Sequence, residues 1–190
     1  MGRFDRMFCA CAALVLIGMS APVAVAKAPP TPAAQARAVV PLSLLHHVAQ
    51  REIALGLLAQ VAAVRRQTVQ FATELETDFR LLDRRILTIA EALGIGENRL
   101  QQAYADQNTA ARDGEADDLR RLAMLRGEDF DRQFWVTVDR DQLAASDLLA
   151  SAAGRVSSLD PLVDEAVRLI DRSVRNAAAA QAASNTPRPR

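Results

Sequence analysis

The chain has 190 residues, with 23 basic and 23 acidic side chains, half of its residues hydrophobic and only 4% aromatic. A composition rich in alanine, leucine and arginine suits helix more than sheet, and the absence of a basic excess argues against a nucleic-acid partner. Both cysteines, Cys9 and Cys11, stand at the very N-terminus, so a chain processed beyond them has no disulfide, no thiolate nucleophile and no cysteine metal site.

Arg3 and Arg6 precede an apolar run over residues 7–19, and Ala24-Val25-Ala26 places small residues at the two positions a signal peptidase inspects. That run is 13 residues long, short of the roughly 20 needed to span a bilayer. Residues 1–26 therefore read as a cleaved signal peptide, with the periplasm as the expected location and no transmembrane anchor after cleavage. Cleavage after Ala26 leaves 164 residues with a net charge of −1, enough for one domain with a core.

Pro29, Pro30, Pro32 and Pro41 mark residues 27–41 as an Ala/Pro-rich disordered linker. Pro187 and Pro189 mark residues 184–190 as a disordered tail. Between them, 42–183 is the expected helical domain. Its first apolar stripe runs Leu45, Val48, Glu52, Leu55, Ala59, Ala62. A second runs Ala72, Leu75, Phe79, Leu82, Ile86, Ile89, Leu93 at alternating steps of three and four. The two are one residue out of phase, a rotation of about 100°, so the helix must break between Val64 and Gln67 although no Gly or Pro marks the place.

A polar connection over 94–115 follows, long for a bundle loop, then a short helix over 116–126. A third long helix fits 129–153, with Phe134, Val138, Asp141, Ala145, Leu148 and Ala152 on one face. A fourth fits 161–183, with Asp160 as N-cap, Pro161 at N1, and Val163, Val167, Ile170, Val174 and Ala177 on its buried face. Glycines 94, 96, 114, 127 and 154 fall where helices should end, whereas Gly56 lies inside one. Four long helices with an extended crossover between the second and third describe an all-α, ferritin-like four-helix bundle.

Three acids stand at or beside these seams: Glu52 and Asp141 on them, and Asp78 between Leu75 and Leu82. An acid facing a helical core is unfavourable unless it is paired or bound to a metal. Two readings follow. Each acid pairs with an arginine of a neighbouring helix, or Glu52, Asp78 and Asp141 converge on one divalent cation. A di-iron site would need Glu-x-x-His on two helices; the only histidines are the adjacent His46 and His47, and neither shares a face with Glu52, so an exposed or capping role is expected for them. No Gly-x-Ser-x-Gly elbow, phosphate loop or dinucleotide fingerprint occurs. The group Phe130, Phe134 and Trp135 reads as core packing rather than a ligand platform.

Three segments together carry a resemblance: Arg51-Glu52-Ile53-Ala54-Leu55-Gly56-Leu57-Leu58-Ala59; Phe71-Ala72 followed by Asp78; and Gly127-Glu128-Asp129-Phe130-Asp131-Arg132-Gln133-Phe134. In order and spacing they resemble domain-of-unknown-function family 4142, exported bacterial proteins with a predicted ferritin-like fold, over roughly residues 42–180. The Gly-x-x-Phe-Asp-x-x-Phe segment is the most specific part. The resemblance implies an Asp-His pair on the second helix, another on the third, and a histidine on the last. Here those positions read Asp78-Phe79, Asp141-Gln142 and near Asn176. The aspartates and Glu52 match, while the histidines, and the metal or proton chemistry they would carry, are missing.

The function expected from these features is that of a non-enzymatic periplasmic helical module, for binding or stress protection, with an envelope protein or a small ligand as partner. The alternative is a ferritin-like metal-binding or redox protein using the three acids. Self-association along an exposed stripe is a further possibility.

Overall fold

Thr31 opens the fold: its hydroxyl accepts the Ala34 N–H at 3.3 Å, and Pro32 follows at N1, where the missing N–H has no partner to lose. The computed structural model describes residues 30–185. Among them are six α-helices and no strand: α1 Pro32–Ala62, α2 Arg66–Ala92, α3 Glu97–Gln107, α4 Thr109–Met124, α5 Gly127–Ala152 and α6 Asp160–Asn185. A single 3-10 turn, Ser157–Leu159, leads into α6. The signal peptide expected over 1–26 lies outside the described residues. The segment 27–41, expected as a linker, enters the fold from Pro32 onward, because Ala38 and Pro41 give its helix a face to bury.

Pairs across the helices set their directions. Gly56 approaches Ala72 and Glu76 and Asp83 meets His46, while Asp131 meets the backbone of Val64 and Arg65 just past α1 and Asp141 meets Arg51, so α2 and α5 both run antiparallel to α1. Arg172 meets Asp78 and Arg85 meets Glu165, so α6 runs antiparallel to α2. Two consecutive bundle helices, α2 and α5, therefore point the same way. The chain must return from one end to the other between them, and it does so through α3 and α4 on the outer side of α1. The connection expected as a polar loop is thus largely helical, and Gly114 lies inside α4 rather than at a helix end.

Because α3 and α4 cover its outer side while α2 and α5 flank it, α1 is buried almost all round, six residues in succession from Pro41 to His46. This is why polar side chains of α1 end up in the interior. The break between α1 and α2 falls at residues 63–65, as the phase slip predicts. Ala63 and Arg65 are in ordinary extended conformations, which any residue adopts, so no glycine or proline was needed. At the other end of α2, Gly94 takes φ +68° and lets the Ile95 N–H close on the Ala90 carbonyl at 2.8 Å, a glycine-ended helix stop.

The first stripe is buried throughout, and the second through Ile86, with Ile89 and Leu93 half-buried. On α6 the expected face is turned slightly: Val167 and Val174 are 39% and 48% exposed, and Ala166 and Ser173 hold the buried positions instead. Small residues on this face let α6 sit close to its neighbours. Asp160 already has helical φ and ψ and continues the 3-10 turn instead of capping α6. Among the described residues no helix is long and apolar enough to cross a membrane.

Candidate functional site: a charged cavity beside α1

Glu52 follows from the first stripe: it occupies a seam position, and it is 1% exposed. It faces a cavity of about 120 Å³ between α1, α4 and α5, with Val48, Ala144, Ala145 and Leu148 as its apolar wall. Neither carboxylate oxygen of Glu52 has a hydrogen-bond partner. Burial, then the neighbouring Asp141 charge, push its pKa up to about 8 against the smaller opposing pull of Arg51.

The other acids of this cavity each have a base. Arg51 Nε donates to Asp141 Oδ2 at 2.6 Å, and Arg51 Nη1 donates to the Glu115 carbonyl at 2.6 Å, while its Nη2 is buried without a partner. Arg140, on α5, bridges to Asp118 on α4 at 2.7 Å and lies 3.6 Å from Asp141. His47 Nε2 meets Glu115 Oε2 at 2.7 Å, and the imidazole stacks on Tyr104 with ring centroids 3.5 Å apart. Burial alone would raise the Glu115 pKa, but the hydrogen bond and charge of His47, with Arg51 and the Tyr104 hydroxyl, outweigh it and hold that pKa below the usual carboxylate value.

The three acids singled out from sequence do not meet. Glu52 and Asp141 line one cavity, whereas Asp78 is paired with Arg172 on α6 and lines a shallow surface groove with Thr73, Thr77 and Asn176. Asp141 and Asp78 both follow the arginine-pairing reading. Among the described residues no group of three His, Cys, Asp or Glu side chains is arranged to hold a metal ion. A divalent cation placed between Glu52 and Asp141 would share Asp141 with Arg51, whose guanidinium already engages Oδ2 at 2.6 Å. Two of the positions where the resemblance implies histidine are buried in the bundle, Phe79 at 1% exposed and Gln142, also 1% exposed, donating to Ser173, while the third, Asn176, is exposed and donates to Glu74 at 3.4 Å.

The histidines are not surface residues. His46 is 2% exposed, its Nδ1 2.7 Å from Asp83 Oδ1, while Gln50 donates to Asp83 Oδ2 at 2.7 Å. Sequence reasoning passed over Asp83, although it stands four residues after Phe79 and three before Ile86, on a buried row of α2. His46 and His47 share a helix circumference that α3 covers, and nothing in the stripes announces a helix 97–107. The aromatic group is core, as expected: Phe71, Phe130, Phe134 and Trp135 form a contiguous set, with Phe130 and Phe134 fully buried.

No curated protein and no solved structure matches the chain. A family model described as a domain of unknown function (DUF4142) matches residues 22–184. That match takes in every residue of the cavity and of the helices that build it, and the chain belongs to the DUF4142 family.

Proposed function

We propose that this chain is an exported, non-enzymatic helical-bundle module of the bacterial envelope that binds a small ligand in the cavity beside α1. The observation that carries this reading is Glu52, a fully buried carboxyl with both oxygens unpartnered, facing open space. A buried polar group without a partner is unfavourable by about 1–3 kcal/mol, and more when it is charged, so its retention makes sense if a ligand supplies the partner. The cavity combines an apolar wall with a few convergent polar groups, the usual make-up of a small-molecule site. Export rests on Arg3, Arg6, the apolar run and the Ala24-Val25-Ala26 site.

A second reading, a ferritin-like metal-binding or redox protein, is favoured by two observations. Glu52 and Asp141 share one cavity, and a crossover joins two helices of the same direction. Metal content of the protein purified from the periplasmic fraction separates the two. For a binding module we expect no stoichiometric metal, and a Glu52→Gln, Asp141→Asn variant that still folds. A stoichiometric metal lost in that variant establishes the metal reading instead.

A further inference from the structure

We propose that the ligand received by this cavity is a small primary ammonium compound, its cationic head held by Glu52 with Asp141 beside it and its short stem against Val48, Ala144, Ala145 and Leu148. The inference rests on the reading of the cavity as a ligand site, and it names the class of ligand.

Charge is the first argument. The cavity is lined by Glu52, Glu115, Asp118 and Asp141 against Arg51, Arg140 and His47. Asp141 is held by Arg51, Asp118 by Arg140 and Glu115 by His47. Glu52 is the acid left over, and one monovalent cation completes the balance. With Glu52 ionised, an anion would enter against an excess of carboxylates.

The chemistry of the head is the second. Both Glu52 oxygens are free acceptors, and an ammonium group is a compact donor of three hydrogen bonds with no acceptor of its own. Calcium asks for six to eight oxygen ligands and magnesium for near-ideal octahedral geometry; here one carboxylate is free and the other is already engaged at 2.6 Å by a guanidinium. An ammonium head needs no such set.

Size is the third. A space of about 120 Å³ corresponds to about four waters at roughly 30 Å³ each, which admits a head and a stem of a few atoms. The wall opposite the charges is apolar, so the stem is a hydrocarbon. The unpartnered Arg51 Nη2 adds a donor for a ligand that also carries an acceptor, as a small zwitterionic amino acid does.

The test is calorimetry of the purified protein with ethylammonium, alanine, propionate and calcium ions as separate probes, at pH 6, 7 and 8. Binding of an ammonium head needs Glu52 ionised. With its pKa near 8, the complex forms with release of a proton, and affinity for ethylammonium should rise about tenfold per pH unit up to that point. The other groups facing Glu52 are His47 and Arg51 on α1, Glu115 and Asp118 on α4, and Arg140 and Asp141 on α5. Glu52→Gln isolates the carboxyl, because it should abolish the proton release and lower affinity at least thirtyfold at pH 8 while circular dichroism stays helical. Glu52→Met serves if the Gln variant fails to fold. Binding of alanine but not ethylammonium, lost in both Glu52→Gln and Arg51→Lys, supports the same head with a zwitterionic ligand. Propionate binding that strengthens as pH falls, or calcium binding lost in Glu52→Gln, overturns the ammonium assignment and leaves the cavity a ligand site. If no probe binds at tens of millimolar, both the ammonium assignment and the ligand-site reading fail.

Discussion

Asp131 on α5 closes the start of α2: its Oδ2 accepts the Arg65 N–H at 3.1 Å and the Val64 N–H at 3.4 Å. The first N–H groups of a helix have no partner within the helix, and an anion there also meets the positive end of the helix dipole. Asp131 is fully buried, flanked by Phe130, with Phe134 one turn on. The Gly-x-x-Phe-Asp-x-x-Phe segment is thereby a joint, two aromatics for the core and one acid for a break in the chain elsewhere. Asp131→Ala removes the acceptor that ties the α1–α2 break to α5 and leaves two part-buried N–H groups without it. We expect a loss of about 1–3 kcal/mol in urea unfolding. Asp131→Asn, which keeps an acceptor, should lose clearly less, and equal losses would mean that the carboxylate matters by charge rather than as an acceptor.

Gly56 is fixed by closeness, not by an unusual backbone. A Cβ there would lie 2.7 Å from the Ala72 carbonyl oxygen and 2.8 Å from the Glu76 Cβ, so α1 and α2 would have to move apart. Gly56→Ala normally gains about 0.5–1 kcal/mol in a helix. Here overpacking should reverse the sign, with a net loss of about 1–3 kcal/mol. A midpoint of unfolding raised by the substitution would contradict this packing.

These two positions show what the sequence could and could not reveal. Gly56 was visible as an anomaly, a glycine inside a strong stripe, but its partner was not, because close approach depends on the other helix. The break near residue 64 was visible as a phase slip, and the acid that makes it possible was hidden 67 residues away. Long stripes with steps of three and four reported burial well. The helix α3 was missed because only Leu100 and Tyr104 of its residues are buried, too few to write a period. On α6 the valines write the apolar stripe, whereas close packing selects the smaller Ala166 and Ser173 for the buried face. At the site, Glu52 and Asp141 were legible as acids on apolar seams. Which base each would meet depends on register between helices, and so the pairing of Arg51 with Asp141, and of His46 with Asp83, was not.

His46, Gln50 and Asp83 form a polar unit within the bundle. With Asp83 6% exposed and two donors aimed at it, removal of the acid leaves the buried His46 imidazole without its partner, while the exposed Gln50 amide turns to water. Asp83→Leu should lose about 3–5 kcal/mol, the range for breaking a buried pair. The double substitution His46→Leu, Asp83→Leu should lose less than the single one, because no orphaned partner remains. A double-mutant cycle with denaturant unfolding measures this, and additive losses would show that the two side chains do not depend on each other.

Glu52 makes the stability of the protein depend on pH in a direction unusual for a carboxylate. Its folded-state pKa, about 8, lies above the unfolded value near 4.3. Below the lower value it is protonated in both states and imposes nothing. Between the two, the unfolded chain ionises while the folded one must hold its proton, so stability falls as pH rises, and above about 8 the loss is complete. At about 1.4 kcal/mol per unit, the total is on the order of a few kcal/mol. Glu115 acts with the opposite sign: its folded pKa is depressed, so its contribution is present above the unfolded value and lost as pH falls through the folded one. The two together place the optimum of this pair of groups near pH 4–5. Glu52→Gln should leave the acid limb unchanged and flatten the decline between pH 5 and 8, with the largest gain over the parent at pH 8. Unfolding by urea at one-unit steps of pH measures it. A parent and variant that run parallel from pH 5 to 8 would mean that Glu52 is ionised in the folded protein, already neutralised by a partner.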